Sequence, residues 1–217
     1  MKKSKRIPER IITVLYSVYY KKTSNKEERK MLRNVRDEFL YGCLFELAGT
    51  NPQFVEKYIH AAGASKHHHN HEYGLLEHSF ELAMELAIIA VQRKRDLTAA
   101  EIARVGFAHD LCKAETYFFN ADGSIGCDGE LYSTHAKLSL AIAQKLGMNL
   151  SKKEEAMILM HMSRWSNEND WKIAAVDIDI IKATFAYTRE CADTQDADMA
   201  ACKQYKECLK ILGIKEA

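Results

Sequence analysis

The chain has 217 residues, 47% of them hydrophobic, and its 31 Lys/Arg against 30 Asp/Glu leave a net charge of +1. That length buries a substantial core without staples and predicts one main domain with a helical appendage. Two prolines and ten glycines are too few for the many turns of an all-β protein, and no run reaches the roughly 20 apolar residues that span a bilayer.

In chain order, Pro8 opens a predicted helix running to about Tyr20, with Ile11, Ile12, Leu15, Val18 and Tyr19 as its apolar face. A second helix, 26–47, puts Met31, Leu32, Val35, Phe39, Leu40, Cys43 and Leu44 on one stripe and stops at Gly49. Asn51-Pro52 starts a third, reaching Ala62. Gly63 to Tyr73 is a loop dense in histidine: His67, His68, His69 and His71. From Gly74 a helix carries His78 in its opening turns; over 82–91 it is apolar nearly all round, which predicts a buried central helix. Thr98 with Glu101 is a capping box for a helix that ends near His109-Asp110-Leu111.

Between residues 117 and 132 the pattern changes. Tyr117-Phe118-Phe119, Asp122-Gly123 and Asp128-Gly129 predict a small β-hairpin or ordered loop. A helix over 134–146 follows, stopped by Gly147. Ser151 with Glu154 caps the next, which ends near His161, and a last helical stretch covers 174–192 and 197–212. The predicted class is all-α with one small hairpin. Residues 1–50 form a basic helical segment packed on a core made by 51–217.

Charge is unevenly spread. Residues 1–36 hold twelve Lys/Arg and three acids, and the remainder 19 and 27. A basic arm of that kind can contact nucleic acid or an acidic membrane, or it can pair with the acidic body as a solvated face. The opening Met1 to Arg6 imitates the start of a signal peptide, but the segment after it is short, tyrosine-rich and without a small-residue cleavage site, so it reads as a structured helix. Six cysteines without a C-x-x-C pair predict reduced thiols and a cytoplasmic location.

The residues that carry chemistry are His78, the adjacent pair His109-Asp110, His135, His161 and Asp193. Apart from the pair, they lie about one helix plus a loop apart, so several helices of one bundle can each aim a side chain at a common point. Their neighbours are apolar: Val105 to Ala108 before His109, Met157 to Met160 before His161. Buried ionisable groups are costly unless paired or metal-bound, so several in one chain favour a shared cation. Imidazole with carboxylate suits Mn, Fe, Zn and similar ions.

Gly74-Leu75-Leu76-Glu77-His78-Ser79, Ala108-His109-Asp110-Leu111-Cys112-Lys113, His135, His161-Met162 and Ala192-Asp193, in that order, resemble the HD-domain superfamily of metal-dependent phosphohydrolases over about residues 54–200. The resemblance implies an HD-type helical bundle. It also implies that His78, His109, Asp110 and Asp193 hold a first divalent ion, with Asp110 bridging to a second completed by His135 and His161. Met162 stands where many two-metal members carry a further histidine, so one or two ions are expected, drawn from Mn, Fe, Mg, Ni or Zn.

The implied reaction is hydrolysis of a phosphate ester of a nucleotide or short oligonucleotide by metal-activated water. Lys113, three residues after Asp110, is the expected phosphate contact and Arg164, three after His161, a second phosphate clamp. His68, ten residues before His78, lines the pocket or acts as general acid. The rest of the histidine loop reads as a surface that binds metal adventitiously. Asp196 and Asp198 are expected to face solvent; Trp165 and Trp171 wall the cleft or pack on the body. Two alternatives share the ligand order: a two-iron oxygenase of the same type, and a nucleic-acid-associated metal-binding module without catalysis.

Overall fold

The computed structural model describes residues 6–66, 68–128, 135–161 and 189–203. These residues are mostly helical, with a single two-stranded sheet. Helix α1 (Arg6–Lys22) buries Ile11, Ile12, Leu15, Val18 and Tyr19, the face that its periodicity predicts. In α2 (Lys26–Asp37) the Asn25 side chain accepts from the Glu27 and Glu28 N–H groups at the helix start.

The expected second helix does not stay α-helical throughout. It widens into a π-helical stretch (Glu38–Phe45) before α3 (Glu46–Thr50). The wider turn keeps Phe39, Leu40, Cys43 and Leu44 all inside the core. Phe39 there meets Phe80 and Phe107 edge-on, at centroid distances of 5.3 and 5.6 Å.

Helix α4 (Pro52–His60) leads into the 61–73 loop and then into α5 (Gly74–Gln92), the central helix. Its buried residues include Glu77, His78 and Glu81 among leucines, alanines and Phe80. Helix α6 (Ala99–Ala108) starts at the Thr98/Glu101 capping box, and the backbone turns at His109. Gly106 sets how close α5 and α6 come: a Cβ there would sit 2.6 Å from the Ala83 Cβ. That approach brings the rings of His78 and His109 to a centroid distance of 5.1 Å.

After α7 (Lys113–Thr116), strands β1 (Tyr117–Phe119) and β2 (Ile125–Cys127) pair antiparallel, Phe118 opposite Gly126. Gly123 takes φ 83° in the turn. Helix α8 (His135–Lys145) ends at Gly147, φ 78°. Helix α9 (Lys152–Leu159) starts at the Ser151/Glu154 capping box, and residues 189–203 form a helix.

One hydrophobic cluster runs from Ile11 in α1 to Ala201 in the 189–203 helix. Among the described residues no helix is long and apolar enough to cross a membrane. His67, Met162, Arg164, Trp165, Trp171 and the 174–188 and 204–212 parts of the expected last helices lie outside the described residues.

Candidate metal centre

Asp110 sits in the turn after α6 and is almost fully buried. Its Oδ2 lies 3.1 Å from His109 Nε2 and 3.5 Å from His78 Nε2. Its Oδ1 lies 3.8 Å from His161 Nε2, which is 3.3 Å from His135 Nε2. The two oxygens of one carboxylate thus face two pairs of imidazoles, from α5 and α6 on one side and from the starts and ends of α8 and α9 on the other.

Local hydrogen bonds aim two of these rings. His109 donates its Nδ1 proton to the Gly106 carbonyl at 2.8 Å, and His161 donates its own to the Ile158 carbonyl at 2.7 Å. Each ring reaches back three residues along its own chain. The Nε2 lone pair is thereby left pointing at the cluster, the orientation typical of ligating histidines.

Burial opposes charge on Asp110, but Lys113 and His109 hold its carboxyl well below the usual range. For His78, burial again opposes charge, but hydrogen bonds to Asp110 and Asp198 raise it to about 9. Burial lowers His161 to about 3, so its imidazole is neutral.

Asp193 does not join this cluster. It accepts from Arg93 Nη1 at 2.5 Å and from Arg95 Nε, past the C-terminal end of α5. The carboxylate that reaches the centre is Asp198, whose Oδ1 is 3.0 Å from His78 Nε2. Asp198 was expected in solvent and is buried; hydrogen bonding to His78 holds its carboxyl below the usual range against the effect of burial. A five-residue offset turns a helical side chain about 140° around the axis, so only one of the two can face α5 at the level of His78. The signal was present: Asp198 lies within the stripe Cys191, Thr194, Ala197, Ala201, all buried. Asp196, in contrast, is exposed and paired with Arg93 at 2.8 Å.

The histidine loop is no surface. His69 is fully buried and its Nε2 donates to Glu81 at 2.9 Å; His71 Nε2 donates to Glu77 at 2.8 Å. Two buried acids of α5 therefore hold the loop down. Glycines make the seam possible: a Cβ on Gly74 would come within 2.0 Å of the His69 carbonyl oxygen, and the Gly63 N–H donates to that oxygen at 2.8 Å.

His68 lines a cavity of about 360 Å³ with Lys66, His78, Asp110, Lys113, Tyr117, His135 and His161, a volume within the range of small-molecule sites. Burial lowers its pKa to about 3, so it offers the cavity a lone pair and suits a general acid poorly. Lys113 is nearly buried; its ammonium is 2.6 Å from Asp110 Oδ2 and donates to the Gly63 carbonyl at 2.6 Å.

The donors fit a divalent cation. His78 with His109 and Asp110, and Asp110 with His135 and His161, each offer three ligand atoms within 4.8 Å of one another. His109 Nε2 and Asp110 Oδ1 are buried without a hydrogen-bond partner, a costly state unless something else satisfies them. A set of imidazoles around a shared carboxylate is that of a Mn, Fe or Zn site. Comparison with protein-family models, with curated proteins and with solved structures finds no match for this chain.

Proposed function

We propose that the chain is a metal-dependent phosphohydrolase of the HD type, acting on a phosphate ester of a nucleotide or short oligonucleotide. The observation that supports it best is the placing of Asp110 between two histidine pairs, Oδ2 towards His78 and His109 and Oδ1 towards His161 and His135. In this reading those five residues, with Asp198 in the place expected of Asp193, hold one or two divalent ions. When bound, such ions supply Lewis acidity towards a phosphoryl oxygen and towards the attacking water.

The protein's own groups do the rest. Gly106 and Ile158 carbonyls fix the tautomers of His109 and His161. Lys113, on the cavity wall beside Asp110, keeps its positive charge against the cost of burial because the Asp110 carboxylate supports it. It attracts a phosphate dianion and positions it over the centre. The Gly63 carbonyl accepts a hydrogen bond from the ammonium and holds it in place.

The test is a panel of nucleotides, cyclic dinucleotides and short RNA and DNA, offered to protein loaded with Mn²⁺. Cleavage of a phosphate ester is expected, with Asp110→Asn and His109→Ala losing at least about 10³-fold, roughly 4 kcal/mol of barrier. No cleavage of any ester, together with full metal content in His109→Ala, sinks the reading. Iron on aerobic purification with dioxygen uptake in place of hydrolysis would replace it by oxygenase chemistry.

A further inference from the structure

Cys202 lies one helical turn beyond Asp198 on the 189–203 helix and lines the same cavity. Its Sγ is 3.4 Å from His68 Nε2 and 4.0 Å from Asp198 Oδ1. We propose that Cys202 Sγ joins an Asp198 oxygen and His78 Nε2 in a thiolate-bearing cation position at the edge of the Asp110 centre, with His68 Nε2 held against the thiol, suited to a borderline-soft divalent ion such as Zn²⁺ or Co²⁺. It does not depend on the proposed reaction.

A chain of hydrogen bonds fixes the His68 ring beside the thiol. Glu81, a carboxylate, accepts the Nε2 proton of His69 at 2.9 Å. The Nδ1 of His69 then carries a lone pair and accepts from His68 Nδ1 at 3.0 Å. His68 Nε2 is consequently unprotonated and faces Cys202. Carboxylate-to-imidazole relays of this kind orient metal-ligating histidines and raise their basicity. Here the relay is anchored in the core, since Glu81 and His69 are fully buried and the loop is held by the Gly63–His69 hydrogen bond.

Two of the three donors share a helix face. Asp198 and Cys202 are four residues apart, so both project to the same side. One ligand atom from each of them and one from His78 lie within 4.8 Å of one another, which places the thiol next to the nitrogen and oxygen donors of the main centre. Among the described residues Cys202 is the thiol on the cavity wall; Cys43, Cys112 and Cys191 are buried elsewhere. A thiolate distinguishes metals that imidazole and carboxylate alone do not: it favours Zn²⁺ over Mn²⁺ and Mg²⁺. Binding exchanges the thiol proton for the ion and releases that proton to water. Three protein ligands leave the fourth tetrahedral position open to water or to an oxygen of a bound ligand.

The experiment is a titration of the whole protein with Co²⁺ under reducing conditions, read by thiolate-to-cobalt charge-transfer absorption in the near ultraviolet. The band is expected in the wild type and in Cys127→Ser, and absent from Cys202→Ser. Loss of an outer partner alone costs ~10–100-fold in metal affinity, so His68→Ala should need at least about tenfold more Co²⁺ for half-saturation. A second measurement needs no variant: Zn²⁺ should slow alkylation of Cys202 in the wild-type protein, read by peptide mass spectrometry. Absence of the band at saturation, its persistence in Cys202→Ser, or a Cys202 alkylation rate indifferent to Zn²⁺ overturns the proposal.

Discussion

At the scale of single residues, the centre is a set of side chains whose protonation is set by their neighbours. His78, raised to about 9 by Asp110 and Asp198 despite its burial, is protonated at neutral pH in the metal-free protein. A metal ion must displace that proton, so affinity for Mn²⁺ is expected to rise about tenfold per pH unit between pH 6.5 and 8.5. Calorimetry in buffers of different ionisation enthalpy should register close to one proton released at pH 7; a pH-independent affinity with no proton release contradicts it. The same shift has a sign for stability. A histidine whose folded pKa lies above its unfolded value stabilises the fold fully below pH 6.5, and loses that contribution as the pH rises through about 9. Metal-free protein should therefore be more stable to urea at pH 6 than at pH 9.5, as far as this group is concerned, and saturating metal should reduce the difference. The histidine pattern itself was legible in the sequence, because apolar flanks around His109 and His161 are local. The burial of His69 was not, since it needs Glu81 from another element to satisfy it.

At the scale of elements, capping and clamping decide where each helix places its side chains around the centre. The Thr98/Glu101 box starts the helix that ends in His109-Asp110. Thr98→Ala is expected to cost about 1 kcal/mol, measurable by chemical denaturation, with no change in the metal-to-protein ratio at saturation. The 189–203 helix is tied to the end of α5 by Arg93 and Arg95, both on Asp193. Arg95 is 16% exposed and Arg93 43%, against 1% for Asp193. Arg95→Ala strips a buried carboxylate of its better-shielded partner and should cost about 3 kcal/mol. Arg93→Ala, removing a solvated partner, should cost less than about 1 kcal/mol. Equal effects of the two would show that the clamp is only a surface pair. Hydrogen exchange in 189–203 should quicken in Arg95→Ala, because that helix brings Asp198 to His78. The expectation of Asp193 as ligand had a physical basis: Ala192-Asp193 and Ala197-Asp198 are the same dipeptide on one helix. Only the arginines just past the end of α5 separate them.

At the scale of the molecule, the basic segment at the start of the chain is part of the core. Helices α1 and α2 contribute Ile12, Leu15, Leu32 and Val35, all fully buried. Truncating a single such side chain costs ~2–5 kcal/mol, against a total of ~5–15 kcal/mol for a typical domain. Deleting residues 1–36 should therefore abolish the cooperative thermal transition. Nucleic-acid contact through this segment is better tested on the folded protein by reversing the exposed Lys21, Lys26 and Lys30. If they touch phosphates, the slope of log affinity against log salt should fall by about one for each contact removed; an unchanged slope shows a solvated face. Over the described residues, the sequence by itself determined where the helices lie, the hairpin between Tyr117 and Cys127 and the order of the histidines around His109-Asp110. Those depend on periodicity, capping residues and turn residues, which act within a few positions along the chain. The tertiary structure decided that Asp198 reaches His78, that Lys113 donates to the Gly63 carbonyl, and that His68 Nε2 faces Cys202. Each of these is a choice between side chains of equal local standing, settled by partners far away in sequence that satisfy one buried charge or proton and not another.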